Sequence, residues 1–272
     1  MHNLAVLASA LLLSAAGCEY TLNGNTSTGT ANPTNSPATT NMTTGKISAV
    51  VVGMENSAFA GSCPGAKFDS DRMFKLISQY SKDVVLLQDK AATRAAIVSA
   101  LTKGVQNSAD GLFVFYYSGH GGSDPFPTTG IEETDGRDEY LCPYDTYLID
   151  NDIWKIISKS KGRVFIIADC CHSQTCFRAP KMTLKYAIPL TATWTESGAI
   201  NMQCWSGCPD DTYSYGSPKG GELTNTLLKY FSPTLTYDEL WTKIEADKNL
   251  KQFEHVQRTL IGKNFGSLTI FN

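Results

Sequence analysis

Two stretches decide the fold of this chain: FVFYYSGHGG (residues 113–122) and RVFIIADCCHSQT (residues 163–175). Each is a short apolar run that drives straight into small and reactive residues. One ends in Ser118-Gly119-His120-Gly121, the other in Asp169-Cys170-Cys171-His172-Ser173. Short runs rich in Val, Ile, Phe and Tyr read as strands buried on both faces. Similar runs precede them at Ile47 to Val52 and Val84 to Leu87. Helical spacing fills the intervals: Met73, Leu76 and Ile77 within Asp69 to Tyr80, then Ala95 to Leu101, then Ile153 to Ser158. This alternation predicts an α/β fold with a mostly parallel central sheet flanked by helices on both faces. Ligands of such sheets sit beyond the carboxyl ends of the strands. His120 and Cys171 both fall there, so the two loops are expected to share one crevice.

A cysteine and a histidine brought together in this way suit nucleophilic catalysis. A thiolate attacks carbonyl carbon, and a neighbouring imidazole both promotes its ionisation and later protonates the leaving amine. Gly119 and Gly121 let backbone approach a substrate closely, and the N–H groups of Gly121 and Cys171 are candidates for an oxyanion hole. Taken singly, a buried Cys is usually packing and a lone His usually a satisfied hydrogen bonder. The paired strand ends favour the catalytic reading.

Bulk composition narrows the field. The 272 residues are 42% hydrophobic and 18% charged, with a formal net charge of -3. With no basic excess there is no electrostatic footprint for nucleic acid. Leu4 to Leu13 is an apolar run too short to span a bilayer, and Ser14-Ala15-Ala16-Gly17-Cys18 follows it. Residues 1–18 therefore read as a signal peptide with a lipobox-like end. Two outcomes stand: an envelope lipoprotein anchored through Cys18, or a plainly secreted or periplasmic protein. Residues 19–45, rich in Thr, Asn and Ser, read as a disordered tether. Residues 46–272 have a length suited to one domain.

The motifs themselves carry a resemblance. Ser-Gly-His-Gly at 118–121, followed by Asp169-Cys170-Cys171-His172-Ser173-Gln174, resembles the caspase and metacaspase superfamily, family C14 of the clan CD cysteine peptidases, and within it the metacaspase branch. Cys63 with Asp69-Ser70-Asp71-Arg72-Met73, and Gly220-Gly221-Glu222-Leu223-Thr224 further on, are similar to other parts of that family. The resemblance implies a caspase-like fold over 46–272, large-subunit-like at 46–178 and small-subunit-like at 186–272. It also implies a Cys–His dyad of Cys171 and His120, with Cys170 not the nucleophile. Asp69, Asp169, Ser118 and Cys63 match the family's substrate pocket. Its carboxylates imply cleavage after Arg or Lys in a peptide or protein substrate, because a desolvated guanidinium needs a hydrogen-bonding carboxylate. Asp69 has a rival reading as a helix N-cap.

Chemistry by this dyad requires no cofactor, and a monomer is expected. Calcium enters as a possible activator: Asp135, Asn151 and Asp152 are similar to a calcium set in many metacaspases. The same acidic stretch reads equally as a solvated surface, and Arg178 stands about where relatives supply another acid. A zinc site from Cys170, Cys171, His172 and Cys176 fits no usual spacing. Disulfides between Cys204 and Cys208 or Cys170 and Cys176 stay open. Self-cleavage, if it occurs, is expected between Phe177 and Lys185. The reading from another class is a non-catalytic caspase-like surface lipoprotein that binds peptides or partner proteins.

Overall fold

A computed structural model describes residues 46–124, 138–170, 191–194, 200–207, 216–253 and 256–271. Cys171, Asp135, the segment 177–185 and residues 1–45 lie outside the described residues. So do Cys176 and Cys208, and with them both proposed disulfides.

Seven strands form the central sheet: β1 (Ile47–Gly53), β2 (Asp83–Gln88), β3 (Leu112–Ser118), β4 (Arg163–Asp169), β5 (Thr191–Trp194), β6 (Asn201–Ser206) and β7 (Gln257–Ile261). Their spatial order is β5-β7-β6-β4-β3-β1-β2. β2, β1, β3, β4 and β6 all run parallel. β7 is antiparallel to β6, and β5 runs parallel to β7. The sheet is thus mostly parallel, as the sequence predicts, with a mixed edge that it does not announce.

Every residue of β1, β3 and β4 is buried, which explains their unbroken apolar spelling. Helices cover both faces. Val50, Val52, Phe113, Phe115, Val164 and Ile166 point to one side. There they meet Ile97, Leu101 and Val105 of α2 (Arg94–Asn107) and Ile153 and Ile157 of α3 (Asp150–Ile157). Ala49, Val51, Val114, Tyr116, Phe165 and Ile167 point to the other. They meet Met73, Leu76 and Ile77 of α1 (Ala66–Ile77), then α4 (Glu222–Tyr230) and α5 (Tyr237–Glu245). Each fully buried aliphatic or aromatic side chain of this kind contributes roughly 1.5–3 kcal/mol. Phe165 of β4 stacks edge-on with Trp205 and Tyr237 at 4.8 and 4.9 Å, pinning α5 to the sheet.

α1 starts three residues before the predicted Asp69 and ends at Ile77 rather than Tyr80. Its N-cap is Gly65, at φ 96°, with no side-chain cap bond. A Cβ at Gly65 would stand 2.1 Å from the Ser217 carbonyl oxygen, so the helix start is set by backbone crowding that a search for Ser, Thr or Asp caps overlooks. The N-cap reading of Asp69 is thereby corrected: Asp69 sits a full turn inside the helix. No described helix is long and apolar enough to cross a membrane.

Candidate active site

Strand register brings the candidate residues to one edge. Gly53, Ser118 and Asp169 end three adjacent strands as direct partners, so the segments leaving those strands emerge side by side. His120 lies two residues past Ser118. Its Nε2 is 2.9 Å from the Ser62 carbonyl oxygen. A carbonyl only accepts, so the neutral ring carries its proton on Nε2 and presents the Nδ1 lone pair. The His120 carbonyl is itself fixed, accepting from the Tyr117 hydroxyl at 2.8 Å and the Cys142 N–H at 3.1 Å. Burial raises the Tyr117 phenol well above its ordinary range, and it stays a donor. Ser62 and Tyr117 are functional neighbours that sequence reasoning missed.

Gly121 pairs with Leu141 across an antiparallel hairpin. The bond from Cys142 N–H to the His120 carbonyl makes this pair the non-hydrogen-bonded kind, so the Gly121 N–H points away from its hairpin partner. Cys170 is 2% exposed and belongs to the core under β1, β3 and α3. A thiol so packed suits structure rather than attack.

The acids converge more tightly than their spacing suggests. Asp69 is fully buried. Its Oδ2 accepts from the Gly221 N–H at 2.7 Å and the Ser118 hydroxyl at 3.2 Å. Its Oδ1 accepts from Arg72 Nη2 at 2.5 Å. Asp169, 5% exposed, accepts at Oδ2 from the Thr224 N–H at 2.8 Å and the Thr224 hydroxyl at 2.6 Å. Because that hydroxyl donates to the carboxylate, the Tyr116 hydroxyl 2.6 Å away donates to Thr224. Asp169 thereby caps α4, whose own N-cap, Gly221, has no side chain to do so. Burial, then the charge of Asp169, push the Asp69 carboxyl up to about 6, against the pull of the Gly221 N–H and Arg72. Arg72, Thr224 and Tyr116 were not foreseen. The Gly220-Gly221 pair just ahead of Thr224 is their one sequence signal, since a Cβ at Gly221 would lie 2.4 Å from Asp169 Oδ2. Cys63 is half-buried in the turn before α1, its N–H donating to the Glu55 carbonyl at 2.7 Å.

Of the expected calcium set, Asn151 and Asp152 are described and Asp135 is not. Asn151 is buried and donates to Asp138 Oδ1 at 2.7 Å. Asp152 is paired with Arg94 at 2.7 Å and Lys155 at 3.3 Å. No group of three or more acidic, His or Cys side chains able to hold a metal occurs among the described residues. The solvated-surface alternative needs correction: Asp138, Glu139 and Asp150 are buried as well.

Comparison with known proteins places this geometry. The caspase-domain family profile matches residues 47–265. Metacaspase-1 of Cryptococcus neoformans is 34% identical over 157 residues, covering 50% of this chain and 34% of that protein. Metacaspase-1A of Aspergillus terreus is 32% identical over 225 residues, covering 75% and 53%. Metacaspase-1A of Neosartorya fischeri is 33% identical over 225 residues, covering 75% and 49%. The chain thus spans about a third to a half of the length of these relatives. A crystal structure of a Geobacter sulfurreducens protein superposes with a TM-score of 0.65 at 22% identity, covering 84% of this chain and 98% of the other; it bears on the fold alone. Profile and relatives agree: the chain belongs to the caspase-domain family of cysteine peptidases.

Proposed function

We propose that the chain is a metacaspase-type endopeptidase that cuts peptide bonds after Arg or Lys, with Cys171 as nucleophile and His120 as general base and acid. His120 Nδ1 takes the thiol proton, Cys171 sulfur attacks the scissile carbonyl, and the same nitrogen returns the proton to the leaving amine. Water then releases the acyl group. The Gly121 N–H, with that of Cys171, is assigned to the developing oxyanion. One observation carries the basic specificity: two carboxylates, Asp69 and Asp169, are buried at the strand edge that ends two residues before His120. A buried anionic pair favours a cationic side chain and repels an acidic one.

Calcium activation is a separate proposal. It rests on Asp135, Asn151 and Asp152, of which Asp135 lies outside the described residues; no catalytic step passes through a metal. The test is hydrolysis of a fluorogenic peptidyl-arginine substrate, with and without calcium, by the parent, Cys171→Ala and Cys170→Ala chains. Activity is expected in the parent and in Cys170→Ala, with loss of at least about a thousandfold in Cys171→Ala. Equal loss in both folded variants would remove the nucleophile assignment. A parent inert toward every peptide would favour the peptide-binding alternative.

A further inference from the structure

Arg72 lies three residues beyond Asp69 on α1, and its side chain folds back onto Asp69. Nη2 donates to Asp69 Oδ1 at 2.5 Å and to Asn225 Oδ1, from α4, at 2.7 Å. The guanidinium carbon stands 4.3 Å from the centroid of the Phe68 ring. Gly220, at φ 98°, clears the space: a Cβ there would lie 2.1 Å from Asp69 Oδ1 and 2.5 Å from Arg72 Nη2. A carboxylate, an amide oxygen and an aromatic face are the contacts by which proteins hold an arginine side chain. The chain has therefore placed one of its own guanidinium groups against a carboxylate assigned to the substrate.

The charges decide what this does. Two buried carboxylates side by side repel, and one of them takes a proton unless a cation intervenes. Resting on the acidic-pocket reading above, we propose that Arg72 is the resident counter-ion of Asp69: its guanidinium neutralises that carboxylate and so lets Asp69 stay ionised beside Asp169. Arg72 is a positioning residue, acting through Asp69 and bridging α1 to α4. Asp69 in turn shapes the pocket through Ser118 and the Gly221 N–H rather than serving as the substrate's sole anchor. Besides Asp169, the Tyr116 phenol of β3 faces Asp69 and is kept neutral by burial, while Glu222 at the start of α4 lies near Asp169, its carboxyl raised by burial and by that charge.

The direct test is a carbon-detected NMR titration of the Asp69 carboxyl in the full chain carrying Cys171→Ala, compared with the same chain bearing Arg72→Gln or Arg72→Lys. Arg72→Gln is expected to move the midpoint up by about one pH unit or more, and Arg72→Lys to leave it near the parent value. An unmoved midpoint in Arg72→Gln overturns the proposal, as does an equal rise in Arg72→Lys, which would mark a loss of shape rather than of charge. With Cys171 intact, the inflection in KM for a peptidyl-arginine substrate is expected to follow the same midpoints. If the carboxyl titration shifts while no form cuts after Arg or Lys, the counter-ion stands and the cleavage reading fails. If cleavage occurs but its inflection ignores Arg72, the counter-ion proposal is overturned and the cleavage reading stands.

Discussion

Asp69 is a group whose burial works against the fold. Its carboxyl is raised from 3.8 to about 6 by desolvation and then by Asp169. An acid whose folded pKa exceeds its unfolded one favours folding most below the unfolded value, and that contribution is lost as pH rises through the folded one. Ionised Asp69 therefore costs about 3 kcal/mol at neutral pH. Asp69→Asn is expected to unfold at higher denaturant concentration than the parent at pH 7.5, by about 1–3 kcal/mol, with the gain shrinking toward pH 4. A gain that is the same at both pH values would show that ionisation is not its source. Cleavage after Arg should weaken in the same variant, so stability is traded for a charged pocket. Sequence reasoning picked out Asp69 by its place before Met73, but its partners were out of reach: Gly221 is 152 positions away, and no local pattern signals a contact of that separation.

At the scale of elements, the first four sheet strands along the chain were easier to read than the last three. β1, β3 and β4 are buried on both faces and spell it in unbroken apolar runs. β7, Gln257–Ile261, opens with Gln257, Arg258 and Thr259. It passes as polar in sequence, yet Arg258 is buried because Gln203 of β6 accepts from its guanidinium at 2.7 Å and Asp238 of α5 at 2.6 Å. Helix starts were missed where they depend on residues far along the chain, as with Ser217 crowding Gly65 before α1 and Asp169 capping α4.

Asp247 performs a comparable service between α4 and the turn after α5. It accepts from Lys229 at 2.7 Å, Tyr230 at 2.8 Å and the N–H groups of Asn249 at 2.8 Å and Leu250 at 3.0 Å. These donors, Lys229 first, hold its carboxyl far below the ordinary range. A lowered carboxylate stabilises the fold above its unfolded pKa and loses that contribution as pH falls. Asp247→Ala should cost about 2–3 kcal/mol at pH 7, with a smaller difference from the parent below pH 4. Thermal melts at the two pH values would show it; a pH-independent cost would point to lost packing instead. Thr224→Val, which strips a hydroxyl from Asp169 and Tyr116 together, should cost about 1–3 kcal/mol and lower kcat/KM for arginyl peptides.

For the whole molecule, the alternation of apolar runs with helical spacing was enough to anticipate a mostly parallel sheet covered on both faces. It could not anticipate how Gly221, Thr224 and Asn225 reach Asp69, Asp169 and Arg72, because they act through backbone, hydroxyl and amide groups that many unrelated sites also use. Export and anchoring through Cys18 are proposals about the intact chain. Cys18→Ser is expected to move the protein from the membrane pellet to the soluble fraction, and identical partitioning of both forms would favour plain secretion.

The central claim is that a caspase-type site has been given an acidic pocket for a basic residue. Its most direct test is kcat/KM for a matched peptide series differing only at the residue before the cut, presented to the intact chain and to Asp169→Asn. The account predicts Arg and Lys preferred over Ala and Asp by at least about a hundredfold, with Asp169→Asn reducing that preference by about tenfold or more. Preferred cleavage after Asp, or a basic preference untouched in Asp169→Asn, would contradict it.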